Sequence, residues 1–145
     1  MRPVLYVEDE EDDVFLLQRA WARAGLPYPL VVLPDGVQAV DYLLGQGAFH
    51  DRTRYPFPIL VLLDLNLPLK GGFEVLKEAR ARFALDALPI VVMTSSDAQR
   101  DRAAAHAGGA NGYRVKPRDC HGIESFVAEL SRQWLPPVAG SVPPG

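Results

Sequence analysis

Only one cysteine, Cys120, occurs in the 145 residues, so no disulfide can form within the chain and nothing points to an oxidising compartment. No apolar run approaches the ~20 residues that a membrane-spanning helix needs. The N-terminal stretch MRPVLYVEDEEDD turns acidic too soon for a secretory leader. No Lys/Arg-rich run occurs and the net charge is −3, which argues against a basic face for nucleic acid or for an acidic membrane surface. No glycine-rich phosphate loop follows the first apolar run, which weighs against nucleotide or flavin binding. These absences lead us to expect a cytoplasmic protein with neither DNA nor membrane as a direct partner. What is present is a globular composition, 48% hydrophobic and 23% charged, at a length that buries one core.

Apolar runs rich in β-branched residues occur at Val4–Val7, Leu30–Leu33, Ile59–Leu63, Ile90–Met93 and Gly112–Val115. They are continuous rather than alternating, as in strands buried on both faces. Between them lie segments of helical spacing. Leu17, Ala20, Trp21 and Ala24 share one face, Val37, Val40, Leu43 and Leu44 a second, and Phe73 and Leu76 with Arg80 at the edge a third. The last helix has the clearest stripe, Ile123, Phe126, Val127, Leu130 and Trp134. Strand and helix in alternation predict an α/β fold: a doubly wound, five-stranded parallel sheet with the flavodoxin-like strand order 2-1-3-4-5. The connection Gly45–Pro58 is long, and its Tyr55 and Phe57 suggest a loop packed on the surface. The Pro/Gly-rich tail, residues 136–145, reads as disordered by composition.

In such folds functional groups gather at the carboxyl ends of the strands. Here those ends carry Glu8 and Asp9, Asp64, Thr94 and Lys116. Three clustered carboxylates call for a hard divalent cation, Mg²⁺ by preference, because it takes oxygen ligands and keeps some water. Three carboxylates, one Mg²⁺ and the Lys116 ammonium sum to zero. Asp64, at the end of a central strand, could then act as a nucleophile toward phosphorus, with Lys116 and the Thr94 hydroxyl meeting the phosphoryl oxygens. Each residue also has a plainer role. The acidic run could favour a helix N-terminus, Asp64 could serve a turn, Thr94 a cap, and Lys116-Pro117 a turn. Their convergence on one sheet edge favours the chemical reading. His50, His106 and His121 lack metal spacing and read as surface residues, and Cys120 reads as a buried or inert thiol.

The acidic pair Glu8-Asp9, LLDLNLP around Asp64, PIVVMTSS around Thr94 and GYRVKP ending at Lys116-Pro117 resemble the receiver domain of two-component response regulators. The likeness runs from Val4 to Leu135 and implies a (βα)5 receiver fold at residues 1–135. It implies that Asp64 accepts a phosphoryl group from the phosphohistidine of a sensor histidine kinase. Asp9, Asp64 and the main-chain carbonyl of Asn66 would bind Mg²⁺, with Glu8 acting through water. Lys116 would contact the phosphoryl group and join Pro117 by a cis peptide. Thr94 and Tyr113 would form a switch pair that alters the surface of the fourth helix and fifth strand.

More narrowly, the chain resembles stand-alone regulators that partner bacterial phytochrome-type kinases. Glu8, the EEDD after Asp9, the extended connection before the third strand, DLNLP, MTSSD and Trp134 carry that likeness. It implies a phosphoacceptor signalling domain rather than an enzyme, working in a phosphorelay and giving its output by binding an unknown downstream protein. Similar regulators form homodimers through the fourth helix, fifth strand and fifth helix. Ile123, Phe126, Leu130 and Trp134 could supply an apolar patch for this, or could equally be the core face of the last helix. One departure is Gly71, where an acidic residue is more usual; it is expected to loosen the third helix by about 1 kcal/mol. Two rivals stand beside this reading. A phosphohydrolase with an aspartyl nucleophile would carry D-x-D, but position 66 is Asn. A receiver-like module that works without phosphate would have lost Asp64, Lys116 or an acid, and all are present.

Overall fold

Strand and helix alternate throughout the computed structural model, which describes residues 1–137. The elements are β1 (Val4–Val7), α1 (Glu11–Arg23), β2 (Leu30–Leu33), α2 (Gly36–Leu44), β3 (Leu60–Leu63), α3 (Gly72–Arg82), β4 (Ile90–Thr94), α4 (Gln99–Ala107), β5 (Gly112–Val115) and α5 (Cys120–Trp134). The strands lie in the order β2-β1-β3-β4-β5, every neighbouring pair parallel, so the expected doubly wound sheet is present. The tail expected to be disordered lies outside the described residues apart from Pro136 and Pro137.

Alternate residues of each strand serve opposite layers. Leu5 and Val7 of β1 join Val61, Leu63 and Val92 beneath α2 and α3, whereas Val4 and Tyr6 join Leu60, Leu62, Val91 and Met93 beneath α1 and α5. Helix α1 buries Leu17, Ala20 and Trp21, but Ala24 lies past its last turn and is exposed. On α2 the buried face is Ala39, Val40, Tyr42 and Leu43, and on α3 it is Val75, Leu76 and Ala79; Val37 and Phe73, expected inside, stand at the surface. Two glycines explain that shift. A Cβ on Gly36 would lie 1.9 Å from the Lys70 carbonyl oxygen, and one on Gly72 would lie 2.3 Å from that of Asp64. These positions take the close approach to the β3–α3 connection, and the next residue of each helix turns outward. Gly71 is the N-cap of α3, where glycine is nearly as good as the common capping residues, so the interior-glycine cost expected from sequence does not apply.

The α5 stripe belongs to the core. Ile123, Phe126 and Leu130 are buried with Val127 against β1, β3 and β4, while Trp134 is half-buried. Three of the four candidate dimer residues are therefore unavailable to a partner, a correction to the patch reading. Asp119 caps α5 by accepting a hydrogen bond from the Gly122 N–H at 2.6 Å. Cys120, expected to be buried or inert, is exposed at the helix start.

On α4 only Ala105 is buried. A cavity of about 370 Å³ lies between this helix and β5, lined by Gln99, Arg102, Ala103, His106, Gly112 and Tyr113 among others. The far end of α4 is fixed by polar contacts instead. Arg80 donates to the Gly109 carbonyl and to Asn111 Oδ1, both at 2.7 Å, and Asn111 Oδ1 also accepts from the Ile90 N–H at 2.9 Å. The Gly45–Pro58 connection packs as its aromatics suggest: the Phe49 ring lies 5.0 Å from Tyr42 and 5.2 Å from Tyr55.

Candidate functional site

The parallel pairing of β3 with β1 continues one residue past each strand, because the Asp64 N–H donates to the Val7 carbonyl at 3.2 Å. That places Glu8 and Asp64 side by side at the carboxyl rim. Both are buried, at 1% and 3% exposure. Glu8 accepts hydrogen bonds from the N–H groups of Asp9 at 3.1 Å and Glu10 at 3.3 Å, and from the Tyr6 hydroxyl at 3.4 Å. Asp64 Oδ1 accepts from the Asn66 N–H at 3.2 Å.

Lys116, following β5, reaches across the sheet edge. Its Nζ lies 2.5 Å from Glu8 Oε1, 2.9 Å from Asp13 Oδ2 and 3.0 Å from Asp64 Oδ2. It does so from a trans Lys116–Pro117 bond, since no cis peptide occurs among the described residues; trans is the lower-energy isomer of an X-Pro bond. The expected cis peptide is thus corrected. Asp13 was not foreseen as part of the site. It sits in the first turn of α1, 103 residues from its lysine, and only the acidic run EDEEDD hinted at it.

Burial sets the electrostatics. It pushes the Glu8 carboxyl up to about 7, helped by the adjacent Asp64 and opposed by Lys116. Burial pulls Lys116 down, but the hydrogen bonds it donates to Glu8, Asp13 and Asp64 outweigh it and hold the ammonium above its ordinary range. The Tyr6 phenol is raised by burial and then by the carboxylates around it, so it stays protonated and available to donate. With Asp9, four carboxylates face one ammonium, and the charge balance expected from sequence is exceeded by Asp13.

One carboxylate oxygen each from Glu8, Asp9 and Asp64 lies within 4.8 Å of the other two. An all-oxygen set of this kind, bearing excess negative charge and including a carboxylate too buried to ionise easily, suits a hard divalent cation. Asn66 is exposed beside it. Thr94, fully buried at the end of β4, accepts from the Ser96 N–H at Oγ1 (3.4 Å), and its carbonyl accepts from the Lys116 N–H at 2.7 Å. Tyr113 donates its hydroxyl proton to the Ser96 carbonyl at 2.8 Å, and the Arg102 guanidinium lies 4.6 Å over its ring. Ser96 thereby links Thr94 to Tyr113. His50, His106 and His121 are exposed, as expected.

Residues 4–128 match the response regulator receiver domain. The chain belongs to that family. Receiver domains serve two-component signalling, in which they partner histidine kinases. Response regulator Rcp1 of Synechocystis is 35% identical over 91% of this chain and 88% of its own length. The structure of the Mn²⁺-bound form of Rcp1 superposes with a TM-score of 0.82 at 32% identity, covering 100% of both chains. That of the phosphorylated cyanobacterial phytochrome response regulator RcpA gives 0.83 at 30% identity, over 99% of this chain and 100% of that one. The bacteriophytochrome response regulator RtBRR gives 0.77 at 36% identity, over 100% and 86%. This receiver domain is therefore similar to phytochrome-associated regulators. No helix among its described residues is long and apolar enough to cross a membrane.

Proposed function

We propose that this receiver domain accepts a phosphoryl group on Asp64 from the phosphohistidine of a sensor histidine kinase of the bacteriophytochrome class, and answers by changing a protein-binding surface. One observation carries the reading: a buried Asp64 whose Oδ2 lies 3.0 Å from Lys116 Nζ, within the Glu8–Asp9–Asp64 oxygen cluster. An Asp64 carboxylate oxygen attacks phosphorus, the P–N bond breaks, and its electron pair leaves on the imidazole nitrogen. Lys116 meets the charge on the phosphoryl oxygens, and the Thr94 hydroxyl donates to them. Asp9, Asp64 and the Asn66 carbonyl would hold Mg²⁺, with Glu8 acting through water. Bound Mg²⁺ supplies neutralisation of the phosphoryl charge, the dominant requirement of such transfers. Attack by water on the acyl phosphate restores the carboxylate, so the domain's chemistry is confined to its own phosphorylation and dephosphorylation.

Thr94 and Tyr113 form the proposed switch, since Ser96 joins them across the β4–α4 connection. A homodimer through α4, β5 and α5 would draw on Trp134 alone among the four α5 candidates. The proposed setting is the cytoplasm. Support for the kinase class comes from the similarity to RtBRR and RcpA.

The test is intact mass after incubation with acetyl phosphate and Mg²⁺, for wild type and Asp64→Asn, with and without chelator. One phosphoryl adduct is expected on wild type, lost in the variant and under chelation. An adduct that persists in Asp64→Asn overturns the assignment, and no adduct from either acetyl phosphate or a kinase favours a phosphate-independent binding module.

A further inference from the structure

Leu69 is the one non-glycine residue of positive φ among the described residues, at +68°, and it is 82% exposed. The Lys70 N–H donates to the Pro68 carbonyl at 2.7 Å, two residues back, so Leu69 is the centre of a γ-turn with positive φ. That turn is rare and strained, and leucine has neither the freedom of glycine nor the local hydrogen bonding of asparagine to ease it. Burial gives no return here, because the side chain points into water. Strain held in an exposed apolar residue beside a reactive group marks a functional constraint.

The turn is fixed from both sides. Gly72 leaves no room for a Cβ beside the carbonyl of Asp64, and Gly36 at the start of α2 none beside the carbonyl of Lys70. The residues following those glycines, Phe73 and Val37, are 40% and 39% exposed. Val37 and Phe73 thus begin the two helices whose first residues meet the connection that carries Leu69. On the α1 side the rim is acidic: Asp9, Glu10, Glu11 and Asp12 are all exposed.

We infer that Leu69 is the apolar anchor for the protein that delivers the phosphoryl group, an inference that rests on the function proposed above. Asp64 is nearly inaccessible, so a protein donor must seat its own surface on the loops around it to bring phosphorus within bonding distance. The fitting partner has an apolar hollow beside its phosphohistidine for Leu69, flanked by Phe73 and Val37. Lysine or arginine on its other side faces the acidic start of α1. A downstream partner has no need to approach Asp64 so closely, and a small phosphodonor has no surface to seat.

The experiment compares wild type, Leu69→Gly, Leu69→Asn and Leu69→Met with two donors. One is acetyl phosphate; the other is an autophosphorylated soluble histidine kinase, chosen from those of the source genome because it transfers to wild type. Glycine and asparagine suit the turn but remove the apolar group. With acetyl phosphate all four proteins should label at the same rate, and glycine should melt no lower than wild type. From the kinase, Leu69→Gly and Leu69→Asn should lose at least about tenfold in kcat/KM and Leu69→Met should keep most of it. Equal transfer to Leu69→Gly overturns the inference, as does finding no kinase that transfers to a wild type competent with acetyl phosphate. Loss of labelling by acetyl phosphate in the Leu69 variants, with wild type still labelled, also overturns the inference, because Leu69 would then act on the site itself; an unlabelled wild type would instead count against the chemistry assigned to Asp64.

Discussion

Helices α4 and α5 flank the same edge of the sheet and hold to it by different means. Helix α5 sets Ile123, Phe126, Val127 and Leu130 into the core, and Arg114 of β5 pairs with its Glu129 at 2.6 Å. Helix α4 sets in Ala105 alone, beside a cavity, and its nearer end depends on polar contacts: Ser96 Oγ with Asp101 at 2.5 Å, Arg102 with Asp97 at 3.0 Å, and Arg102 over Tyr113. Apolar burial is worth roughly 1.5–3 kcal/mol per large side chain, whereas exposed ion pairs give at most about 1 kcal/mol. At this edge of the sheet, stability therefore resides more in α5 than in α4. The β4–α4 segment, next to Thr94, is the part whose opening exposes the least apolar surface.

Substitutions can break or sharpen this contrast. Phe126→Ala should lower unfolding free energy by about 3–5 kcal/mol in urea titration. A loss below about 1 kcal/mol would mean α5 is no better anchored than α4. Amide hydrogen exchange in α4 should run at least about tenfold faster than in the buried turns of α5, because its opening requires little apolar exposure; equal protection would remove the distinction. Tyr113→Phe deletes the bond to the Ser96 carbonyl and should cost about 1 kcal/mol. Arg102→Ala, which removes a half-exposed ion pair and a cation–π contact, should cost less than about 1 kcal/mol. The double variant with Tyr113→Phe tests whether the two contacts form one network, through a coupling energy above about 0.5 kcal/mol.

The strands were legible to within a residue, because parallel strands covered on both faces leave continuous apolar runs that little else imitates. Asp64, Lys116, Glu8 and Thr94 were legible for a related reason, since polar groups at the ends of such runs stand out. The faces of α2 and α3 were not. Their rotation is set where Gly36 and Gly72 meet the backbone of a distant connection, and helical spacing alone cannot tell whether Val37 or Ala39 turns inward. Asp13 escaped because an ion pair across the fold leaves no trace in local spacing. The α5 stripe was seen but not its destination, since a core face and a docking face carry the same period.

The polar buckle of Arg80 and Asn111 has a mechanical consequence for α4. It secures the chain just past the carboxyl end of the helix, while at the amino end the described residues offer the Tyr113–Ser96 hydrogen bond and the stacking of half-exposed Arg102 on the Tyr113 ring. A tilt of α4 therefore has its fulcrum near Gly109, and the arm is the nine-residue helix, about 13 Å long. Displacement along such an arm grows with distance from the fulcrum, so a rotation too small to disturb Ala105 moves the Gln99 end furthest, beside the connection that carries Ser96.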